Sequence, residues 1–422
     1  MRASQQALKG QRLSSITIIG AGVVGLATAL AMQRTGIQVS LWDKSLPGQG
    51  CSYGNAGHFA TELVLPLATP QLLPQLPKLV LNPLGPVALR AAYLPKILPW
   101  FIRFLWQARG TASRAAALSI KALNDQALEA WQQLLGQTEA QRLLRLRGSL
   151  LVFESQAALS AAARQQEQIE RQYGVPWQQW LPEQLQEQEP ELNDRLAGAI
   201  WFPDTGHTIE PALLNQSLYQ AFIAAGGTFV QQELQHLQSS QQGWKVNGEH
   251  QCEALLLACG AWSAPWVQQL TGVRIPLEAE RGYHLMMPED GQLLSQPVTS
   301  AERKFIMTPM QSGLRLAGTV EFAGLQRQPD MRRAQMLEGL AAPLLRRPLA
   351  GSGRCWMGCR PTLVDSLPIL DRTAAGGKLL LALGHQHLGL TQAAISAQLL
   401  TDLALGQEPA LDLNPYRLAR FG

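Results

Sequence analysis

Three glycines, Gly20, Gly22 and Gly25, follow one another as G-x-G-x-x-G, and Asp43 stands about twenty residues downstream. That spacing has a chemical reading. The first glycine permits a tight turn, the second lets backbone approach a pyrophosphate, and the third lets a helix lie close on its sheet. The amides of Val23 and Val24 then face outward at a helix start, where free N–H groups and partial positive charge suit phosphate oxygens. The Asp43 carboxylate is placed to accept hydrogen bonds from a ribose hydroxyl, with Lys44 beside it. The elements that would position these groups are also legible. Ile16–Ile19 reads as a strand, Val23–Gln33 as a small-residue helix, and Gln38–Trp42 as a second strand ending at the acid. The alternative is a glycine-rich helix entry in some other α/β protein, but strand, helix, second strand and terminal acid together favour a dinucleotide site.

A chain of 422 residues has room for two or three domains and a large core. The five cysteines, Cys51, Cys252, Cys259, Cys355 and Cys359, lack C-x-x-C spacing. They read as reduced thiols in a cytoplasmic protein, with no metal expected. Arg2, Lys9 and Arg12 precede the first strand without an apolar stretch, so no signal peptide is expected. The apolar run 16–32 is interrupted by glycine and belongs to the nucleotide motif rather than to a membrane span.

Two later stretches repeat the logic of the first. Residues 254–263 read as a buried strand ending in a turn at Gly260, followed by Trp262. Lys378–Leu383 reads as another buried strand, followed by a loop with Gly384, His385, His387, Leu388 and Gly389 and then by a helix from Leu390 and Thr391 to about Leu405. Pro211 after Glu210 marks the first turn of a helix over 211–225, and 157–172 reads as a solvated helix.

With these elements in place the chain resembles the FAD-dependent amine and amino-acid oxidoreductases, a family that includes D-amino-acid oxidase, glycine oxidase, sarcosine oxidase and bacterial D-amino-acid dehydrogenase. The likeness runs from about residue 15 to the end. It is carried by the opening glycine turn, Ser52-Tyr53-Gly54-Asn55-Ala56-Gly57, Gly260-Ala261-Trp262-Ser263, Arg281-Gly282-Tyr283, Gly358-Cys359-Arg360-Pro361-Thr362 with Pro368-Ile369, and Gly384-His385 with Gly389. These six fragments occur in the family's order.

The resemblance implies an α/β fold with a Rossmann-like, discontinuous FAD-binding domain (1–60, 195–275 and 355–422). The remainder (61–194 and 276–354) would form an α+β substrate domain with a mainly antiparallel sheet. FAD would be held non-covalently, since the late glycine loop lacks the cysteine of sarcosine oxidases. The cofactor contacts it implies are Gly20, Gly22, Val23, Val24, Gly25, Asp43, Lys44, Ser52, Asn55, Ala56, Gly57, Leu234, Gly260, Trp262, Arg360, Gly384, His385, Leu388, Gly389, Leu390 and Thr391. The reaction it implies is hydride transfer from the α-carbon of a D-amino acid, or of a cyclic D-imino acid such as proline or hydroxyproline, to flavin N5. The product imino acid is then hydrolysed to a 2-oxo acid. An oxygen-using glycine or sarcosine oxidase, or a flavoprotein subunit without turnover, are the rival readings.

Such a reaction asks the protein to bind and aim the substrate, and a guanidinium holds a carboxylate through two parallel hydrogen bonds. Arg360 matches the family arginine with that task; otherwise it would be a structural arginine paired with Asp365 or Asp371. Tyr283 would share the carboxylate or else be a core tyrosine bonded to backbone. His58 would deprotonate the substrate ammonium or else be a bonded loop histidine. Arg281 is expected to support the cofactor or a loop, and His387 to sit at the cavity rim.

One stretch stands apart in charge. Between Glu62 and Asp125 there are Lys78, Arg90, Lys96, Arg103, Arg109, Arg114 and Lys121, and no acid. Without these residues the net charge of +4 would become −3, so the positive character is local and nucleic-acid binding is not expected. Pro99–Gln107 reads as a helix apolar around most of its girth, with Arg103, Gln107 and Arg114 on one face. It contains too much proline and charge to span a bilayer. Segment 63–114 therefore either lies on an anionic membrane surface, on the inner face of the cell membrane with a quinone as electron acceptor, or roofs the substrate domain.

Overall fold

The computed structural model describes residues 12–70, 85–136, 139–240, 242–373 and 378–422. Arg2, Lys9 and Lys78 lie outside the described residues. Ser15–Ile19 is an inner strand of a six-stranded sheet with the order Thr228–Gln231, Gln38–Asp43, Ser15–Ile19, Ala254–Leu257, Leu379–Leu383, Ile369–Thr373. The first five strands run parallel, and the last is antiparallel to its neighbour. Ala254–Leu257 and Leu379–Leu383 are buried throughout, as continuous apolar runs must be when both faces of a parallel sheet are covered. One face is covered by the alanine-rich helices Val23–Arg34 and Gly389–Leu405, which pack on each other through residues such as Ala27, Ala393 and Ala397. The other face buries Trp42, Leu255, Leu381 and Trp244. Trp244 belongs to a small antiparallel sheet, Leu237–Ser240, Gly243–Val246 and His250–Cys252, that sequence reasoning did not foresee.

A second, mostly antiparallel sheet has nine strands among the described residues. Its longest strand, Leu277–Met287, lies between Gly313–Phe322 and Arg354–Leu363. The register slips at Thr319, an extra residue with φ +56° opposite Tyr283. Two joins in this sheet are parallel: Val298–Ser300 to Ser149–Phe153, and Val87–Leu89 to Gly313–Phe322.

The expected domain boundaries are corrected in three places. Gly198–Phe202 and Arg354–Leu363 were expected with the nucleotide unit, but both are strands of the antiparallel sheet. Conversely, Ala127–Leu135 packs on Gly389–Leu405 beside the parallel sheet, with Trp131 Nε1 donating to the Leu390 carbonyl. In each case pairing across long sequence separations decides, and local composition does not report it.

The expected helix at Pro99–Gln107 starts earlier, at Leu94, and ends at Gln107. Arg109 is extended, and a new helix begins at Gly110. Arg114 therefore does not continue the face of Arg103 and Gln107. The helices Pro211–Ala224 and Gln156–Tyr173 form close to the expected places, the second capped by Ser155 Oγ accepting from the Ala158 amide.

Candidate active site

A cavity of about 900 Å³ runs from the start of the first helix to the face of the antiparallel sheet. At its first end the walls are backbone. A Cβ on Gly25 would stand 1.9 Å from the Gly20 carbonyl oxygen, and one on Gly20 would stand 2.3 Å from that of Ala258. Gly20 also has φ +111°. No side chain caps the helix at Gly22, and no acid sits in its first turn. Val23 N–H donates to Ser52 Oγ at 2.9 Å. Asp43 accepts from Ala21 N–H at 2.8 Å and from Ser45 N–H at 2.9 Å, which fixes its carboxylate beside the turn and leaves lone pairs free. Lys44 bridges to Glu233 at 3.5 Å and lies 5.3 Å from the centroid of the Trp262 ring.

Of the sequence-predicted residues, Gly20, Gly22, Val23, Val24, Gly25, Asp43, Lys44, Ser52, Asn55, Ala56, His58, Leu234, Gly260, Trp262, Tyr283, Arg360, Gly384, His385, His387, Gly389 and Leu390 line this cavity. Gly57, Leu388 and Thr391 do not. Thr391 is fully buried and its Oγ1 accepts from Ala60 N–H at 3.0 Å, so it ties the last helix to the chain after His58. Gly57 serves by shape: φ is +75°, and a Cβ there would meet Met310 Cε at 2.7 Å. The His385 ring bonds Ser396 Oγ at 2.9 Å, and burial lowers its pKa to about 4.

The antiparallel sheet holds the 51–58 loop in place. Arg315 Nη1 donates to the Asn55 carbonyl at 2.5 Å, while Arg315 Nη2 pairs with Glu210 at 3.2 Å. The ring of His284 lies 3.0 Å from the Gly54 carbonyl and stacks on Trp356. Trp356 fills the space that a Cβ on Gly54 would need.

At the far end the walls are side chains. Antiparallel register sets Arg360 opposite Glu280, and Nη1 donates to Glu280 Oε1 at 2.7 Å. Thr362 Oγ1 donates to the other oxygen at 3.1 Å. Gly282 leaves room for the guanidinium, since a Cβ there would lie 2.2 Å from Nη2. The partner is therefore Glu280. Asp365 is taken by Arg420, and Asp371 accepts from Leu418 N–H. Among the described residues, Arg360 Nη2 and Nε have no acceptor, and Arg360 lines the cavity.

Tyr283 donates its hydroxyl to Glu321 at 2.6 Å and accepts from Asp330 N–H at 3.3 Å, and its ring lies beside the Arg333 guanidinium, so the phenol is already committed on the sheet face away from Arg360. Arg281 is fully buried and donates to the carbonyls of Gly324 and Arg327. It supports the 324–327 turn.

His58 pairs in register with His207 and stands 3.7 Å from Glu62, which sequence reasoning missed. Burial lowers the His58 pKa to about 3, with His207 and His387 adding to the effect, and burial raises Glu62 to about 8. His58 Nε2 and Glu62 Oε2 are buried without a hydrogen-bond partner. The i, i+4 spacing of the pair was visible, but only the short His58–Phe59 strand shows that both turn into the cavity. His387 sits near Glu280 and Arg360, its pKa lowered to about 4 chiefly by burial. Burial likewise pushes the Cys51 thiol up to about 11.

Residues 15–403 match the family model described as FAD dependent oxidoreductase. The chain is 32% identical over 424 residues to a D-amino-acid oxidase of Bradyrhizobium diazoefficiens, covering 96% of this chain and 98% of that one. It is 30% identical over 437 residues to D-amino acid dehydrogenase 2 of Ralstonia nicotianae, covering 96% and 100%. The glycine oxidase of Geobacillus kaustophilus shares the fold, with a TM-score of 0.70, 21% identity, and coverage of 97% and 99%. The chain belongs to this family of FAD-dependent oxidoreductases, and it is an enzyme with an α/β fold and FAD as cofactor.

Proposed function

We propose, with family membership as the premise, that the chain oxidatively deaminates D-amino acids or a cyclic D-imino acid. The names of the two relatives support the substrate class. The observation that carries the reading is the Arg360 guanidinium, held by Glu280 over Gly282 in the same cavity as the glycine cradle. The cradle fits FAD because Gly20 and Gly25 leave no space for any Cβ, and the helix starts at Gly22 with no N-cap side chain or acid of its own, Ser52 Oγ accepting from the Val23 amide beside it. Gly22, Val23 and Val24 would hold the pyrophosphate, Asp43 the ribose, and Leu234, Gly260 and Trp262 the adenosine end. Ser52, Asn55, Ala56 and the Gly384–Leu390 loop would hold the ring end. When bound, the flavin accepts hydride from the substrate α-carbon.

The chain's own groups do the rest. Arg360 offers Nη2 and Nε as a fork to the substrate carboxylate. Neutral His58, its Nε2 without a partner, is placed to accept a hydrogen bond from the substrate amine; burial leaves it too weak a base to hold the ammonium proton, so the amine whose lone pair assists loss of hydride enters neutral. The nucleotide unit is the parallel sheet with its helices, and the substrate unit is the antiparallel sheet. Electrons pass on to a quinone at the inner face of the membrane, approached through the basic segment 63–114.

Anaerobic titration of the yellow protein with paired D- and L-amino acids, including proline and hydroxyproline isomers, tests this. Bleaching of the flavin band by D-isomers alone is the expected result. Bleaching by L-isomers, or by none of them, overturns it. Peroxide formed stoichiometrically in air would replace the quinone by oxygen.

A further inference from the structure

The helix Leu94–Gln107 has two apolar faces, and among the described residues only one of them is covered. Ile97, Trp100 and Phe104 pack against Phe322 and Val364, and Trp100 Nε1 donates to the Pro276 carbonyl at 3.0 Å. On the opposite face Leu94, Leu98, Ile102 and Trp106 recur every fourth residue, which on an α-helix is one stripe along the axis. Leu98, Ile102 and Trp106 are 54, 59 and 61% exposed. Leu105 lies beside the stripe, and Leu118 of the next helix is also exposed. A stripe of this kind on an anchored helix is more than the scattered apolar residues of an ordinary surface.

The charges around it say what covers it. Exposed Lys96 and Arg103 share one flank of the stripe, about two turns apart, and among the described residues neither has an acidic partner. Arg109 lies over the Trp106 ring, 3.7 Å from its centroid, and donates to the Trp106 carbonyl. Arg90 and Lys121, by contrast, are spent on Glu321, Asp330 and Asp125. A second copy docking through this same face would bring Arg103, Lys96 and Arg109 against their own kind, which disfavours self-association. An anionic lipid surface meets both requirements, apolar depth for Leu98, Ile102 and Trp106 and phosphate for the three cations. No helix among the described residues is long and apolar enough to cross a membrane.

We infer that the Leu94–Leu98–Ile102–Trp106 stripe lies in the acyl boundary of an anionic bilayer, with Lys96, Arg103 and Arg109 on the headgroups. This rests on the membrane-surface reading above and deepens it, because it assigns the contact to one helix face.

The test is co-sedimentation of the full FAD-loaded chain with vesicles of phosphatidylcholine alone and of equal parts phosphatidylcholine and phosphatidylglycerol, at low and high salt. The wild-type chain should sediment with the anionic vesicles and be released by salt. The double variant Ile102→Ser/Trp106→Ser should lose about tenfold or more in partitioning while keeping its flavin absorbance and its turnover with a soluble dye. Leu181→Ser, at an exposed leucine elsewhere, should behave as wild type. If the wild-type chain stays in the supernatant, the membrane reading and this inference both fall. If the wild type sediments and the double variant does so equally, the membrane reading stands and the stripe is not its contact. Concentration-dependent dimers abolished by the double variant, without vesicle binding, would make the stripe a self-association face and overturn the inference.

Discussion

The two ends of the cavity are made of different material. The cradle at Gly20, Gly22 and Gly25 is backbone: amides, carbonyls and the lack of Cβ atoms, all within one turn of chain. The far end is side chains brought from strands 80 residues apart, Arg360 and Glu280, together with His58 and Glu62 from the loop after the cradle. A backbone site tolerates almost no change in shape, whereas a side-chain site changes its chemistry one group at a time. Substitutions at the two ends should therefore fail in different ways.

Substitutions at both ends, and then pH, press on that contrast, in order of expected size. Gly25→Val places atoms inside contact distance of the Gly20 carbonyl, and the chain should purify colourless, with flavin absorbance lost relative to protein absorbance. A normally yellow Gly25→Val protein would break the contrast at its strongest point. Arg360→Ala should keep its flavin but lose about 2–5 kcal/mol of substrate interaction, roughly 30-fold to several thousand-fold in kcat/KM, partly because Glu280 is left buried and unpaired. Arg360→Lys should recover only part of this, since a point charge cannot form the fork. Glu280→Gln should cost less, about tenfold in kcat/KM, because Arg360 stays charged and loses only its anchor. Loss of flavin from either variant would show that the two ends are one site.

The smallest effect is in pH. Burial raises Glu62 to about 8 from an ordinary 4.5, so the folded chain keeps a proton that the unfolded chain gives up. That contribution to stability is complete below about 4.5 and fades as pH rises through 8. His58 is the mirror case: lowered to about 3 from 6.5, it contributes above 6.5, and the contribution fades as pH falls toward 3. Melting temperatures should thus decline on both sides of neutrality. Glu62→Gln should flatten the alkaline limb and His58→Gln the acid limb, each by a few degrees. Unchanged limbs would mean that the pair is solvated in solution.

The same contrast explains what could be read without a structure. The parallel sheet announces itself through continuous apolar runs and local glycine spacing, so the cradle and the loops after Ala254–Leu257 and Leu379–Leu383 were legible. The cross-strand partner of Arg360 was not, because Asp365 and Asp371 are closer in sequence, while register alone selects Glu280. Glu62 carried no motif at all. Tyr283 was expected to share the substrate carboxylate or to be a core tyrosine bonded to backbone; its hydroxyl is bonded to the Glu321 side chain instead, which depends on Gly313–Phe322 lying alongside. Domain boundaries failed for the same reason: Gly198–Phe202 and Arg354–Leu363 join a sheet whose other members lie far away in sequence.

Arg354–Leu363 has a further consequence for assembly. It forms the wall that carries Arg360, it touches the last glycine loop through Thr362 and His385, and the chain runs from it directly into Ile369–Thr373 of the other sheet. Both ends of the cavity therefore depend on Arg354–Leu363 and the strands that follow it. Without them Ala254–Leu257, which already pairs with the opening strand, lacks its Leu379–Leu383 neighbour, and non-local pairing of this kind is slow. The cradle and the substrate wall thus share one stretch of chain, so a lesion in Arg354–Leu363 should disturb both.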